Sequence, residues 1–200
     1  MTAGMLARAA AAALALLVLL ALPGAARAQH PCESYFAANE AAYGIPTGIL
    51  HAIGMTESGR GGATWPWALN LGGAPAFPAS RGEALALMGD GAGSLRLDMA
   101  VGCMQVHTRW HSHAFRFGED ILDPATNVAY AAAFLRLLYD RHGSWTEAVR
   151  RYHAGAGNTQ AQDVYLCRVL GWRVRLGYQR ETSAMDGLCA AARTVSAEGR

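Results

Sequence analysis

The chain has 200 residues and carries 17 arginines, no lysine and 15 acidic residues, for a formal net charge of +2. So small a charge gives no electrostatic reason to expect a nucleic acid or an anionic membrane surface as a partner. The length is sufficient for one domain with a substantial hydrophobic core.

The first 28 residues have the features of a secretory signal peptide. Arg8 gives a positive start, residues 9–22 form an almost uninterrupted apolar run, and Ala26-Arg27-Ala28 is a small-x-small cleavage site. The apolar run is short for a membrane-spanning helix, which needs about 20 residues, so an uncleaved anchor is the less favoured alternative. Cleavage would remove two of the 17 arginines and leave a soluble exported protein with no net charge.

All four cysteines lie beyond this segment, at Cys32, Cys103, Cys167 and Cys189. An even number of cysteines in an exported protein favours two disulfides. Of the three possible pairings we favour Cys32–Cys103, which would tie the first helix to the segment carrying Gln105. The companion pair, Cys167–Cys189, would close a loop of about 22 residues and contribute about 3 kcal/mol in the chain-entropy model. A zinc site is less favoured because no two cysteines are close in sequence.

The chain after residue 32 is predicted to begin with two helices. The first covers residues 33–43 with Gly44 as its stop, and Pro46 fits the first turn of the second, which runs to about residue 57. Glu57 stands where the apolar pattern of the second helix ends. Burial and the negative end of the helix dipole both favour a protonated carboxyl group there. A proton-bearing glutamate is what a general acid requires, so Glu57 is a candidate catalytic acid.

Between residues 65 and about 101 the helical pattern gives way to proline, glycine and aromatic residues. Short extended runs are predicted at 68–71 and 95–99, with a short helix at 81–88 between them. We expect an inserted substructure that contains a small sheet rather than a separate domain.

Helix signals return at Asp123-Pro124, a cap followed by a first-turn proline, and this long helix ends at Gly143. Ser144 begins a capping box for the next helix, which ends near residue 155. A last helix is predicted at 159–170. The chain therefore divides into a signal peptide over 1–28, one domain over 29–170 and a C-terminal extension over 171–200, whose final ten residues we expect to be mobile.

Four short motifs occur in a fixed order along the chain: Glu-Ser-Gly at 57–59, Gly-Cys-Met-Gln at 102–105, Asp-Pro-Ala-Thr-Asn at 123–127 and Tyr-His-Ala-Gly at 152–155. Together they resemble the catalytic domain of soluble lytic transglycosylases, the SLT-type relatives of goose lysozyme, over roughly residues 32–165. The stretch Trp-Pro-Trp-Ala-Leu-Asn at 65–70 further resembles members with an inserted strand region, including those that accompany secretion systems or flagella. The resemblance implies a mainly α, lysozyme-like α+β fold: a helical, bundle-like domain with a small inserted β substructure around residues 65–101.

The resemblance also implies a reaction, the cleavage of peptidoglycan between N-acetylmuramic acid and N-acetylglucosamine. In this family the C6 hydroxyl of muramic acid attacks the anomeric carbon and gives a 1,6-anhydro product. Glu57 would be the single general acid and base. Ordinary glycosidases use two carboxylates, and Glu83, Asp98, Glu119 and Asp120 have no motif context here. An internal nucleophile at high effective concentration relaxes the need for a second carboxylate.

The resemblance assigns further residues to substrate binding. Ser58 would hydrogen-bond or position the acetamido group, Gln105 would line the cleft beside the acid, and the hydroxyl of Tyr152 would point toward the acid. Asn70 would line the cleft through the inserted region. Each of the first three has a structural alternative: Ser58 as a helix-end cap, Gln105 as a buried amide and Tyr152 as a core residue.

Three positions depart from the family pattern. Cys103 stands where leucine is common, and His107 and His153 stand where asparagine is frequent; these changes leave the acid intact and concern subsite recognition. His107, His111 and His113 have a spacing that invites a metal site, but no glutamate lies between them in the zinc-protease arrangement. We expect neither a metal nor another cofactor.

Two other functions are left open by the residues. A hydrolytic muramidase would share the acid, and a non-catalytic wall-binding scaffold of an envelope machine is disfavoured by the intact Glu57. The expected protein is a periplasmic monomer that acts on peptidoglycan glycan strands, without a stable membrane anchor. The sequence leaves open whether it serves a secretion apparatus, a flagellum or general wall turnover. Trp65 and Trp67 are candidates for stacking on sugar faces, although packing within the inserted region explains them equally well.

Overall fold

The computed structural model describes residues 32–89, 91, 94–154 and 157–198. The predicted signal peptide lies outside these ranges. None of the helices in the described ranges has the length and the hydropathy that crossing a bilayer requires.

Five helices build the main body and enclose one hydrophobic core. They are α1 (Glu33–Tyr43), α2 (Ile49–Ser58), α5 (Pro124–His142), α6 (Trp145–Ala154) and α7 (Thr159–Arg175). Helix α2 packs on α1 and α7, α5 packs on α1 and α6, and α6 packs on α7. The mainly helical, lysozyme-like fold predicted from the sequence is confirmed.

Helix α2 is central, because it is buried on almost every side. Gly54 in its middle allows this close packing, since a Cβ there would lie 2.8 Å from the Phe36 ring and 3.0 Å from Thr64 Cγ2. The helix begins at Ile49 rather than at Pro46, because Gly48 has a φ of 83° and cannot belong to a right-handed helix. The predicted start was therefore three residues too early.

The helix ends follow the local signals. Gly44 ends α1 and Gly143 ends α5 in the left-handed conformation, with φ of 64° and 69°. The Asp123 side chain accepts a hydrogen bond from the Thr126 N–H and so caps α5, while Pro124 occupies its first position. These predicted boundaries are confirmed.

The β substructure contains a hairpin and a four-stranded antiparallel sheet. Strands β1 (Gly59–Arg60) and β2 (Ala63–Thr64) form the hairpin; β3 (Leu69–Leu71), β4 (Ala74–Ala76), β5 (Met99–Val101) and β6 (Val106–His107) form the sheet in the order β4-β3-β5-β6. Helix α3 (Arg81–Met88) lies between β4 and β5, as predicted. The short helix α4 (Thr108–His111) follows β6, and two 3-10 turns, Ser112–Ala114 and Gly118–Leu122, lead into α5.

The extended run predicted at 95–99 was largely wrong. Strand β5 starts at Met99, because its register is set by pairing of Leu71 with Met99 and of Leu69 with Val101. Leu95 makes only an isolated bridge with Gly89. The sheet therefore extends beyond the predicted end of the insertion and reaches β6.

The C-terminal part is more helical than its weak periodicity indicated. Helix α7 continues past residue 170 to Arg175, and α8 (Ser183–Glu198) packs against it. Alanine, which is frequent in α8, has high helix propensity, a feature that the apolar spacing alone does not reveal. The predicted disulfides are confirmed: Cys32–Cys103 ties the start of α1 to the turn between β5 and β6, and Cys167–Cys189 joins α7 to α8.

A buried carboxylate on α1 fixes the start of α2. Glu40 accepts hydrogen bonds from the Gly48 N–H at 2.8 Å and from the Leu50 N–H at 2.7 Å. Burial raises the pKa of Glu40, while these backbone donors and the nearby Arg173 act in the opposite direction. The carboxylate satisfies amide groups that the first turn of α2 leaves without intrahelical partners.

We expect Glu40→Ala to lower the free energy of unfolding by about 2 to 4 kcal/mol, because it leaves two buried N–H groups without an acceptor. The control is Glu83→Ala, which removes a carboxylate that accepts from the Ala79 N–H at 2.8 Å on the exposed start of α3. That loss should stay within about 1 kcal/mol. Urea unfolding of both variants checks the expectation, and equal losses would contradict it.

Candidate active site

A cleft of about 420 Å³ runs between the sheet and the helices. It is lined by Glu57 from α2, by the β3–β4 region, by the segment from Gln105 to His111, and by α5 and α6. Four of the five residues predicted from the sequence, Glu57, Asn70, Gln105 and Tyr152, meet in this cleft. Ser58 does not line it.

The carboxyl group of Glu57 is held at one oxygen and left open at the other. Its side chain is 11% exposed, and its Oε1 accepts a hydrogen bond from the Tyr165 hydroxyl at 2.7 Å. His153 Nδ1 lies 3.8 Å from the same oxygen. Within the described part of the chain, Oε2 has no hydrogen-bond partner, so it is available to a ligand in the cleft.

Tyr165 is the main anchor of Glu57, and sequence reasoning missed it. It lies on α7 in the interior of the domain, where burial and the neighbouring Glu57 charge raise the pKa of its hydroxyl well above the usual value. The hydroxyl therefore keeps its proton and acts as a donor. No local signal marks this tyrosine, because its role depends on the packing of α7 against α2.

Tyr152 lines the cleft, but its hydroxyl donates to the Met104 carbonyl at 2.9 Å. Burial raises the pKa of this hydroxyl as well. Its ring lies parallel to the Tyr165 ring, with centroids 6.5 Å apart. The Glu57 charge acts on this hydroxyl in the same direction as burial, so Tyr152 lies near the acid. Within the described residues, however, the tyrosine hydroxyl that is hydrogen-bonded to Glu57 is that of Tyr165 on the neighbouring helix.

His153 completes the surroundings of the acid. Its ring stacks on Tyr165 at a centroid distance of 4.7 Å and an angle of 6°. The Glu57 carboxylate raises the pKa of His153, against the opposing effects of burial and of Arg168. At 3.8 Å the contact is an ion pair rather than a short hydrogen bond.

Gln105 and Asn70 present complementary amide groups. The Nε2 of Gln105 donates to the carbonyls of Ala68 and Gly102 at 3.1 and 3.0 Å. Because both partners are acceptors, the amide orientation is determined and Oε1 remains as an acceptor. The Oδ1 of Asn70 accepts from the Gly73 N–H at 2.7 Å, which leaves its NH₂ group as a donor. Both residues line the cleft.

Ser58 has a structural role. It is 1% exposed, and its hydroxyl donates to the Cys103 carbonyl at 2.8 Å and accepts from the Trp65 N–H at 3.3 Å. A direct hydrogen bond to a ligand is therefore not available to it. Ser58 links the end of α2, next to Glu57, to the turn at residues 102–105.

The turn at residues 102–105 depends on Asn127, which is fully buried. Its Oδ1 accepts from the Met104 N–H at 2.9 Å, and its Nδ2 donates to the carbonyls of Val101 and Ile121. Gly102 adopts a φ of 80°, and a Cβ there would lie 2.6 Å from the Asn127 amide nitrogen. Glycine is therefore required at this position.

A family model described as the transglycosylase SLT domain matches residues 34–165. The chain belongs to this family. The matched range extends from the start of α1 to Tyr165 and includes every residue that lines the cleft. Membership indicates a lytic-transglycosylase-like domain that acts on peptidoglycan. No curated protein and no solved structure matches the chain in the corresponding comparisons.

The SLT cleft also contains residues that its motifs do not include, among them Asp98, Trp110, Tyr130 and Phe134. The carboxylate of Asp98 forms an ion pair with Arg96 Nε at 3.4 Å. The other carboxylates considered from the sequence, at positions 83, 119 and 120, do not line the cleft.

The histidines near the SLT cleft do not assemble a metal site in the described ranges. The Nδ1 of His111 shares a hydrogen bond with the Tyr130 hydroxyl at 2.7 Å, and burial lowers the pKa of this imidazole. The two tryptophans considered for sugar stacking lie away from the cleft. Trp65 donates to the Pro78 carbonyl, and Trp67 packs against the core.

The ion pair with Glu57 predicts a pH-dependent contribution of His153 to stability. Because the folded-state pKa of His153 is raised, its contribution is fully present below the unfolded value of about 6.5 and is lost as pH rises through the folded value. We therefore expect His153→Asn to cost more stability near pH 6 than near pH 9.

Urea unfolding at the two pH values and low ionic strength measures this difference. High salt should reduce it, because His153 is 54% exposed and the pair is open to screening. The exposed His113, replaced by asparagine in a control, should show no such pH dependence. A cost for His153→Asn that is equal at both pH values would contradict the ion pair.

Proposed function

We propose that the protein is a lytic transglycosylase that cleaves the bond between N-acetylmuramic acid and N-acetylglucosamine and forms a 1,6-anhydro-muramic acid end. The observation that carries the proposal is the asymmetric environment of Glu57 within a cleft of the SLT family. One carboxyl oxygen is anchored by a neutral donor, and the other, which has no hydrogen-bond partner among the described residues, would exchange a proton with the substrate.

In the first step, the protonated form of Glu57, not the carboxylate that pairs with His153, acts as general acid through Oε2. Its proton passes to the glycosidic oxygen as the bond from that oxygen to the anomeric carbon breaks. The carboxylate that remains is stabilised at Oε1 by the Tyr165 hydroxyl and by the imidazolium of His153. These groups are already in place before the charge develops, so little reorganisation is needed during the reaction.

In the second step, Glu57 acts as general base. The C6 hydroxyl of muramic acid forms a bond to the anomeric carbon while its proton passes to the carboxylate. The glutamic acid is thereby restored, and no water is consumed. The hydroxyl belongs to the same sugar as the carbon that it attacks, which gives it a high effective concentration.

The amide groups of Gln105 and Asn70 suit an acetamido substituent. The free Oε1 of Gln105 is an acceptor for the acetamido N–H, and the free NH₂ of Asn70 is a donor for its carbonyl. Both flank the cleft that contains Glu57. A site built to hydrogen-bond the substituent would reject sugars that lack it, because its polar groups would then be left unpaired.

A hydrolytic muramidase is the second candidate, and Asp98 favours it. This carboxylate lines the same cleft as Glu57 and is the residue that would activate a water molecule in a two-carboxylate mechanism. Its ion pair with Arg96 occupies one of its two oxygens. The chemical nature of the product distinguishes the two candidates.

The proposal also includes the compartment in which the protein acts. The features of residues 1–28 suit export by a cleavable signal peptide, and the two disulfides suit an oxidising compartment such as the periplasm. We propose a periplasmic monomer that acts on glycan strands without a membrane anchor. The proposal that the protein serves a secretion or flagellar apparatus rests on the sequence resemblance around residues 65–70. The intact Glu57 disfavours a non-catalytic scaffold role.

We expect Glu57→Gln to lower the rate of wall digestion by about 10² to 10⁴-fold, because the amide cannot transfer the proton. Mass analysis of the released muropeptides measures both rate and product. Wild type should release 1,6-anhydro ends, and Asp98→Asn, the matched control, should release the same ends.

Two results would contradict this proposal. Undiminished digestion by Glu57→Gln would show that Glu57 is not the catalytic acid. If wild type instead released reducing muramic acid ends, and Asp98→Asn did not release them, the hydrolytic mechanism would be established.

We expect Tyr165→Phe to lower the rate of digestion by about 10-fold, which corresponds to the loss of one hydrogen bond of about 1.4 kcal/mol to a charged group. Tyr152→Phe is the control, since it removes a hydroxyl that is bonded to the Met104 carbonyl instead of the acid. Both variants should lower the free energy of unfolding, but only Tyr165→Phe should lower the rate of digestion per folded molecule. Equal rate losses at equal folded fractions would contradict the assigned role of Tyr165.

A further inference from the structure

Trp110 is a large apolar residue whose side chain is exposed to solvent in the cleft. Of the large hydrophobic side chains that are exposed in the described part of the chain, it is the most exposed, at 66%, and it is the one that lines the cleft with Glu57. Leaving an indole ring in water forgoes the free energy that its burial would provide. Nothing in the proposed acid–base chemistry requires it there.

The backbone that carries Trp110 is firmly held on both sides. Thr108 is fully buried, and its hydroxyl donates to the Met99 carbonyl at 3.0 Å. His111 shares a hydrogen bond with the Tyr130 hydroxyl at 2.7 Å, and its ring packs against Tyr130 and Phe134 with centroid distances of 5.4 and 4.9 Å. The exposed indole is therefore presented by a fixed segment, and a ligand that contacts it pays little to order that segment.

Helix α4 places the indole in the same cleft as polar side chains. The helix follows β6 directly, and Trp110, Gln105 and His107 all line this cleft. His107 caps the helix by accepting from the Arg109 N–H at 3.3 Å, and it also lines the cleft. An aromatic face thus lies beside side chains that donate and accept hydrogen bonds.

We infer that Trp110 is a sugar-stacking platform on which the apolar face of an N-acetylhexosamine ring of the glycan packs. A pyranose ring has C–H groups on its faces and hydroxyl groups around its edge. It therefore suits an aromatic surface flanked by polar side chains, as in this cleft. A purely apolar ligand would instead require a continuous apolar patch.

In the described part of the chain, two other aromatic residues outside the core, Phe117 and Trp65, lack this combination. The ring of Phe117 is 57% exposed but lies outside the cleft and is covered by the Arg116 guanidinium at 5.2 Å. Trp65 is engaged by Arg60 and by Phe77. Trp110 therefore takes the place of the tryptophans that the sequence suggested for sugar stacking.

The inference rests on the proposed function only in that the cleft binds a β-1,4-linked glycan; it does not depend on the reaction or its product. The test uses the protein without residues 1–28 and with Glu57→Gln as the parent, so that turnover is slow compared with the binding measurement. The probe is a soluble β-1,4-linked N-acetylglucosamine oligosaccharide, with affinity measured by calorimetry and by indole fluorescence. Trp110→Ala, Trp110→Phe and Phe117→Ala are each introduced into this parent.

We expect Trp110→Ala to weaken binding about 10-fold and to abolish most of the fluorescence change, while Trp110→Phe restores part of the affinity and Phe117→Ala has no effect. Equal affinity of Trp110→Ala and the parent would overturn the inference and leave the proposed function standing. A parent that does not bind the oligosaccharide would also overturn the inference, while the proposed function would still be decided by the digestion of the wall. Binding that depends on Trp110, combined with a wild-type protein that does not digest the wall, would support the inference and refute the proposed function.

Discussion

The geometry of the cleft depends on one short turn, residues 102–105, to which four helices are attached. Cys32 at the start of α1 reaches it by a disulfide, and Ser58 at the end of α2 by a hydroxyl bonded to its backbone. Asn127 on α5 and Tyr152 on α6 make hydrogen bonds to the same backbone. The turn therefore fixes the positions of helices that are distant in sequence relative to one another. A buried polar network of this kind tolerates little rearrangement, because each broken hydrogen bond leaves an unpaired group in a poorly solvated interior.

The contacts of the turn at residues 102–105 also position the side of the cleft that carries Glu57 relative to the side that carries Gln105. Ser58 directly follows Glu57, so the contact that fixes Ser58 also fixes the last turn of the helix that carries the acid. At the other end of the turn, Gln105 adopts a φ of 47°, a costly conformation for a residue other than glycine. The surrounding contacts hold it there, and its side chain then bonds to the carbonyls of Ala68 and Gly102. The positions of the Glu57 carboxyl group and the Gln105 amide group are thus both fixed by the backbone of this one turn rather than by independent loops.

The parts of the structure that local chemistry determines were predictable from the sequence. Helix α1 and helix α3 have the predicted bounds, and the cap at Asp123 and the stop at Gly143 mark α5. The motifs identified the family and four residues of the cleft. Tyr165 and Trp110 could not be predicted in this way. The contact of Tyr165 with the acid arises from helix packing, and the exposure of Trp110 arises from anchors on either side of it, so neither leaves a periodic or spaced signal in the chain.

The two groups beside Oε1 of Glu57 differ in a way that matters for the proposed reaction. The Tyr165 hydroxyl is neutral and buried, so it supports the carboxylate equally at every physiological pH. The imidazole of His153 is half-exposed, and the neighbouring Glu57 carboxylate raises its pKa, so its charge depends on pH. The histidine therefore makes the charge beside Glu57 depend on pH, whereas a neutral asparagine at this position would leave that charge constant.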